Sequence, residues 1–230
     1  MKIRRRIFGA AFLITAFLLV TILFLGSVMN LERKDYIEEK MSILSDLNEI
    51  QTYSMLSDVY GNRLACLAFK KKLTEWDKTL WDLGLKLERY RAATEEFQKD
   101  PFYLDQKKRF NENQVLYMAF LTKAKKDCEF DVSIVSFFYK NSEECVKCDA
   151  QSFVLTDLKR ELNDEVSIFS FDVDLEITNI GLLQQYYEIT EFPCVVVNEQ
   201  PFCGMQDKSF IIRKMCESNN NSACERYAIN

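Results

Sequence analysis

The sequence predicts an α/β protein whose C-terminal part alternates strands and helices, preceded by a transmembrane helix and an α-helical hairpin or bundle. Three stretches carry this prediction. Residues 7–29 contain no charged side chain. Between about residues 31 and 127 apolar side chains recur at spacings of three and four, the period of a helix with one buried face. From Val132 onward, short runs of β-branched and aromatic residues alternate with amphipathic stretches, the pattern of strands separated by helices.

Residues 1–6 form a basic tail through Lys2, Arg4, Arg5 and Arg6. The uncharged run after it would span about 35 Å as a helix, enough for the ~30 Å hydrocarbon layer. A cleaved signal peptide is the competing reading, but its apolar core is usually ~7 to 15 residues and ends at small residues. Leu25-Gly26-Ser27-Val28-Met29 fits that exit poorly. The basic side of a single-pass helix stays in the cytoplasm. The N-terminus is therefore expected inside, and residue 30 onward on the extracytoplasmic side, where disulfides persist.

Residues 30–127 read as a helical membrane-proximal region, with Gly61, Gly84 and Pro101 as punctuation. A first helix over about 31–70 would carry Ile43, Leu47 and Ile50 on one face. A second has Leu73, Trp76, Leu80, Leu83, Leu87 and Tyr90 in a heptad seam of the coiled-coil type, which predicts helix packing against helix. A third, over about 102–126, offers Tyr103, Phe110, Tyr117 and Leu121. This region reads either as a spacer that positions the C-terminal part or as a surface for partner proteins.

Composition excludes several chemistries. There is no histidine, so no Ser-His-Asp or Cys-His activation and no His-ligated metal. A formal net charge of −5 gives no support to nucleic-acid binding. Eight cysteines remain, which suggest metal binding in a reducing compartment and disulfides in an oxidising one.

Cys145-Val146-Lys147-Cys148 is the candidate site. Val132–Tyr139 predicts a buried strand, 140–144 a polar loop, and 145–163 a helix that the cysteine pair opens. The first turn of a helix aims unpaired N–H groups and the positive dipole end at a thiol, favouring thiolate. Cys145 is the candidate nucleophile, and Cys148, one turn on, the resolving thiol. Lys147 favours the thiolate, whereas Glu143 and Glu144 oppose it. A second strand is predicted at 166–172 and a helix at 178–189. Phe192-Pro193 then leads into Cys194–Val197, which turns at Asn198-Glu199 into Gln200–Cys203. That turn sets Cys194 opposite Cys203 and allows a cross-strand bridge. A last helix covers 209–216. In the polar tail, 218–230, Cys224 could close a short loop with Cys216, and Asn220-Asn221-Ser222 is a glycosylation sequon. A Cys66–Cys128 bridge would tie the helical region to the strands.

Taken in order, strand, dithiol at a helix start, helix, strand, helix, proline before a strand, hairpin, glycine and helix, the stretch from Val132 to about Cys216 resembles the thioredoxin superfamily. The resemblance implies a thioredoxin-like domain over 128–217 with a mixed central sheet flanked by helices. It makes Pro193 a cis-proline facing the dithiol, Pro193 and Phe192 part of a substrate groove, and Gly204 the glycine after the final strand. It also implies thiol-disulfide exchange with protein thiols and disulfides as substrates, recharged by a membrane redox partner, with neither metal nor organic cofactor. The chain departs from the family pattern where Glu144 precedes the pair, Val-Lys fills it, and Phe137 falls where a buried acid is usual. Two other uses of the cysteines stay open: a static bridge in a redox-inactive scaffold, and a Cys-only zinc site adding Cys194 and Cys203. The exchange reading requires both active sulfurs to be accessible and close to Pro193.

Overall fold

Two long helices precede the sheet in the computed structural model, which describes residues 12–26, 34, 35, 37, 55, 59, 61–93, 99–128, 130–141, 143–217, 224 and 227. Helix α1 spans Asn62–Arg91 and starts after Gly61, whose φ of 76° is a left-handed value that glycine adopts without a side-chain clash. Helix α2 spans Pro101–Cys128. Proline suits that first position because its missing N–H would be unpaired there anyway. All six seam residues from Leu73 to Tyr90 are buried. Phe69 meets Phe120, Trp76 meets Tyr117, and Tyr90 stacks on Tyr103, so α1 and α2 run antiparallel. Burying each such side chain contributes about 2 kcal/mol. The Tyr90 hydroxyl donates to Asp100 at 2.5 Å and fixes the end of the hairpin.

The sheet comes next, as β1 (Ser133–Tyr139), α3 (Cys148–Leu162), β2 (Val166–Asp172), α4 (Thr178–Tyr186), β3 (Cys194–Val197), β4 (Gln200–Cys203) and α5 (Lys208–Cys216). Strand order is β2-β1-β3-β4. β1 pairs parallel with β2 and antiparallel with β3, and β3 pairs antiparallel with β4, so the sheet is mixed. Alternation of side chains divides its two faces. Phe138, Phe169, Phe171 and Val196 join one core with the hairpin residues and Ile180 of α4. Val135, Phe137, Val195 and Val197 join a second with Leu155 and Leu158 of α3 and Ile211 and Met215 of α5. The hairpin and the sheet thus share a core.

Polar side chains also reach strand β2. Asp77 of α1 accepts from Ser167 at 2.8 Å and from Lys159 at 2.6 Å. Lys159 Nζ donates to the Val166 carbonyl at 2.7 Å. Asn111 of α2 accepts the Asp172 N–H at 2.9 Å, and Lys107 pairs with the Asp172 carboxylate.

Several expectations need correction. The predicted first helix, over about 31–70, does not run through Gly61, where a new 30-residue helix starts. Cys66 therefore lies near the beginning of α1, and its bond to Cys128 at the end of α2 links the two helices to each other rather than tying the helical region to the strands as expected. Gly84 does not punctuate the chain. It sits inside α1, where an added Cβ would come 3.1 Å from the Phe110 ring, so its lack of a side chain lets α2 approach. Ile43, Leu47 and Ile50, the basic residues of the N-terminal tail and the sequon fall outside the described residues. Of the predicted membrane span, residues 12–26 are described; they are helical, and their large apolar side chains are exposed. Among the described residues no helix is long and apolar enough to cross a membrane.

Candidate functional site

The loop between β1 and α3 is organised by Asn141. Its Oδ1 accepts the N–H groups of Glu143 and Glu144, at 3.0 and 3.1 Å, and its carbonyl accepts that of Cys145 at 2.9 Å. Its own N–H and Nδ2 both donate to Asp174, just past β2, at 2.7 and 2.8 Å. Cys145 is therefore held in a turn, and the helix starts three residues later than expected, at Cys148, with Lys147 as N-cap. The Cys148 N–H donates to the Cys145 carbonyl at 3.1 Å. Cys148 occupies the first helical turn, where the dipole acts most strongly, and Cys145 sits just ahead of it.

All eight cysteines are paired: Cys66 with Cys128, Cys145 with Cys148, Cys194 with Cys203, and Cys216 with Cys224. The four thiols that a Cys-only zinc site would use are consumed in two of these bonds. Cys194, next to Pro193, is closed by Cys203 directly across the hairpin, the cross-strand bridge that the sequence allows. Asn198 and Glu199 make that turn with φ of 50° and 68°, the hand that fits the twist of a hairpin.

Pro193 is cis and buried. The Phe138–Cys194 pairing puts it one residue beyond the last rung between β1 and β3, beside the end of the strand from which the cysteine loop departs. The Pro193 carbonyl accepts the N–H of Gly204 at 2.7 Å, and Gly204 sits at φ 83°. Lys140 joins the two loops. Its ammonium pairs with Glu144 and lies 5.8 Å from the centroid of the Phe192 ring. The Glu144 hydrogen bond raises the Lys140 pKa above its ordinary value, so the cation persists and offsets one of the two carboxylates that oppose a thiolate.

The sulfurs are not accessible in this state. Cys145 is 4% exposed and Cys148 3%, and both belong to the apolar cluster against which Phe192 and Tyr139 pack. The condition that the exchange reading set, accessible sulfurs, is not met in the bonded state, which counts against that reading: Val146, 87% exposed, takes the outer position while both cysteines are buried. Phe137 is buried and stacks on Tyr139, with ring centroids 5.3 Å apart. Burial pushes the Tyr139 phenol well above its ordinary pKa, so it stays protonated at neutral pH.

The C-terminal part holds a parallel strand pair continued on one side by two antiparallel strands, a dithiol at the N-terminus of α3 and a cis-proline opening β3. These features agree with the resemblance to the thioredoxin superfamily read from the sequence. Solved structures similar to part of the chain include a malarial protein, with 14% identity over 37% of this chain and 96% of that one and a TM-score of 0.32. Thioredoxin-2, described as a component of malaria parasite protein secretion machinery, shares 15% identity over 37% of this chain and 82% of its own, with a TM-score of 0.32. The germline-specific thioredoxin Deadhead from Drosophila melanogaster shares 22% over 44% of this chain and 93% of its own, with a TM-score of 0.33. No protein-family profile and no curated relative matches the chain.

Sequence reasoning missed Lys140, Asn141 and Asp174 in the C-terminal part. An asparagine two to four residues before a tight turn was the available signal for Asn141. Its partner Asp174, 33 residues away, left none.

Proposed function

We propose that this chain is a membrane-tethered, extracytoplasmic thiol-disulfide oxidoreductase or isomerase that acts on protein disulfides through Cys145 and Cys148. The observation that carries the reading is the bonded pair leading into α3, joined through Lys140 to the loop that ends in Phe192-Pro193. In the oxidised state a substrate thiolate attacks Cys145, the bond to Cys148 breaks, and Cys148 leaves with the electron pair. A second substrate thiolate then displaces Cys145 and closes the substrate disulfide. In the reverse direction Cys145 attacks a substrate disulfide and Cys148 displaces the product. Because both sulfurs are covered, either direction requires the turn at Val146 and Lys147 to open. Fifteen uncharged helical residues, 12–26, whose large apolar side chains are exposed, support the tether. A membrane redox partner would recharge the pair.

The burial of both sulfurs favours a second reading, a redox-inactive scaffold in which Cys145–Cys148 is a fixed bridge. Titration against a graded thiol-disulfide buffer separates the two. A working pair opens reversibly at a potential above about −300 mV, whereas a fixed bridge resists below that value. In cells, Cys148→Ser should retain client proteins covalently on Cys145, and an empty trap together with an unreducible bridge would establish the scaffold.

A further inference from the structure

A cavity of about 370 Å³ lies where α1, α2 and α3 meet around strand β2, and Cys148, but not Cys145, is part of its wall. That volume falls in the range of small-molecule sites, ~300 to 1,000 Å³. Trp81, Tyr103 and Phe110 give it apolar surface. Its charges come in both signs, with Glu88 beside Arg91 and Asp172 beside Lys107. Gln114, 5% exposed, also lines it, and its Oε1 has no donor among the described residues. These charges form closed ion pairs, so a small zwitterion would bind by exchanging its ammonium and carboxylate with them and by donating an N–H to Gln114, whereas a folded protein cannot enter.

Resting on the reading of Cys145–Cys148 as a working dithiol, we infer that this cavity admits a low-molecular-weight zwitterionic thiol to Cys148, a route to the disulfide separate from the protein-facing loop. Cys148 is 3% exposed, so the cavity must first widen beside α3; the thiolate of the small molecule then attacks Cys148 Sγ, the Cys145–Cys148 bond breaks, and Cys145 departs with the electron pair. A second small thiol attacks the sulfur of the bound molecule, releasing a small disulfide and leaving Cys148 as thiolate. Two thiols are oxidised, one protein disulfide is reduced, and the two thiol protons pass to Cys145 and Cys148. The hairpin then serves redox chemistry directly, because it supplies most of the cavity wall.

The test uses the full chain and oxidised glutathione as probe, with mixed-disulfide formation followed by intact mass. Cys145→Ser leaves Cys148 as the only reactive thiol of the pair, and Cys148→Ser leaves Cys145. Adding Ser152→Trp, which fills the cavity one turn after Cys148, should slow adduct formation on Cys148 by about tenfold and on Cys145 by less than about twofold, since exchange rates follow access to the attacked or attacking sulfur. Phe153→Trp, on the exposed side of α3, controls for added bulk and should slow neither. Adducts on Cys145 but not Cys148, or equal slowing of both by the plug, would overturn the cavity route and leave the dithiol reading intact. Absence of adduct on either cysteine would instead remove the dithiol reading itself.

Discussion

The two edges of the sheet are protected in opposite ways. Every residue of β2 is buried or half-buried beneath the hairpin and α3, whereas three of the four β4 residues are exposed. An uncovered edge is a template for pairing with other chains. β4 limits this by being four residues long and by carrying Pro201, which has no N–H to offer. β2 instead relies on other elements, whose side chains bond directly to it. The difference teaches that the covered edge is where the chain has room for polar groups and a cavity, while the bare edge is kept small.

The largest expected effect comes from untying the covered side. Removing the Cys66–Cys128 bridge, which closes a sequence separation of 62, should cost about 4 kcal/mol on the chain-entropy account, against about 3 kcal/mol for Cys194–Cys203 with its separation of 9. Denaturant unfolding of the two double-serine variants gives both numbers. If the β4 hairpin bridge proves the costlier, the hairpin is not what stabilises the β2 side.

Next in size is Asp77→Ala, which strands the buried ammonium of Lys159 and leaves the Ser167 hydroxyl unmatched. Removing one partner of a buried ion pair is expected to cost about 3 kcal/mol. A paired replacement, Asp77→Leu with Lys159→Met, should recover most of that loss, and the same unfolding assay reads it.

The smallest effect is on the bare edge. Pro201→Thr restores an N–H on β4 and should change monomer stability by less than about 0.5 kcal/mol, as surface substitutions do. Its signature would be concentration-dependent self-association in sedimentation velocity. No association would mean that the shortness of β4 alone protects it.

What could be read from the sequence was local. β1 and β2 appear where β-branched and aromatic residues crowd together, and the α1 seam appears because Leu73 to Tyr90 keep one period throughout. The dithiol and Pro193 stand out by spacing. The start of α3 did not, because the turn at Cys145 depends on Asn141 gripping Asp174 across 33 residues. The polar cover of β2 was equally hidden. Asp77 and Ser167 are 90 residues apart, and an aspartate on a helix otherwise reads as a solvated one. Burial of the active sulfurs was missed for a related reason: neighbouring residues in sequence, Glu144 and Lys147, are polar, and the apolar cover comes from Phe192 and Tyr139.

With every cysteine bonded, the folded molecule has no sulfur nucleophile to offer. On the exchange reading proposed above, two electrons would have to arrive from a donor before Cys145 could attack anything. A molecule in this bonded state would then form bonds in others at the expense of its own, and the donor that reached it would set the direction in which it works.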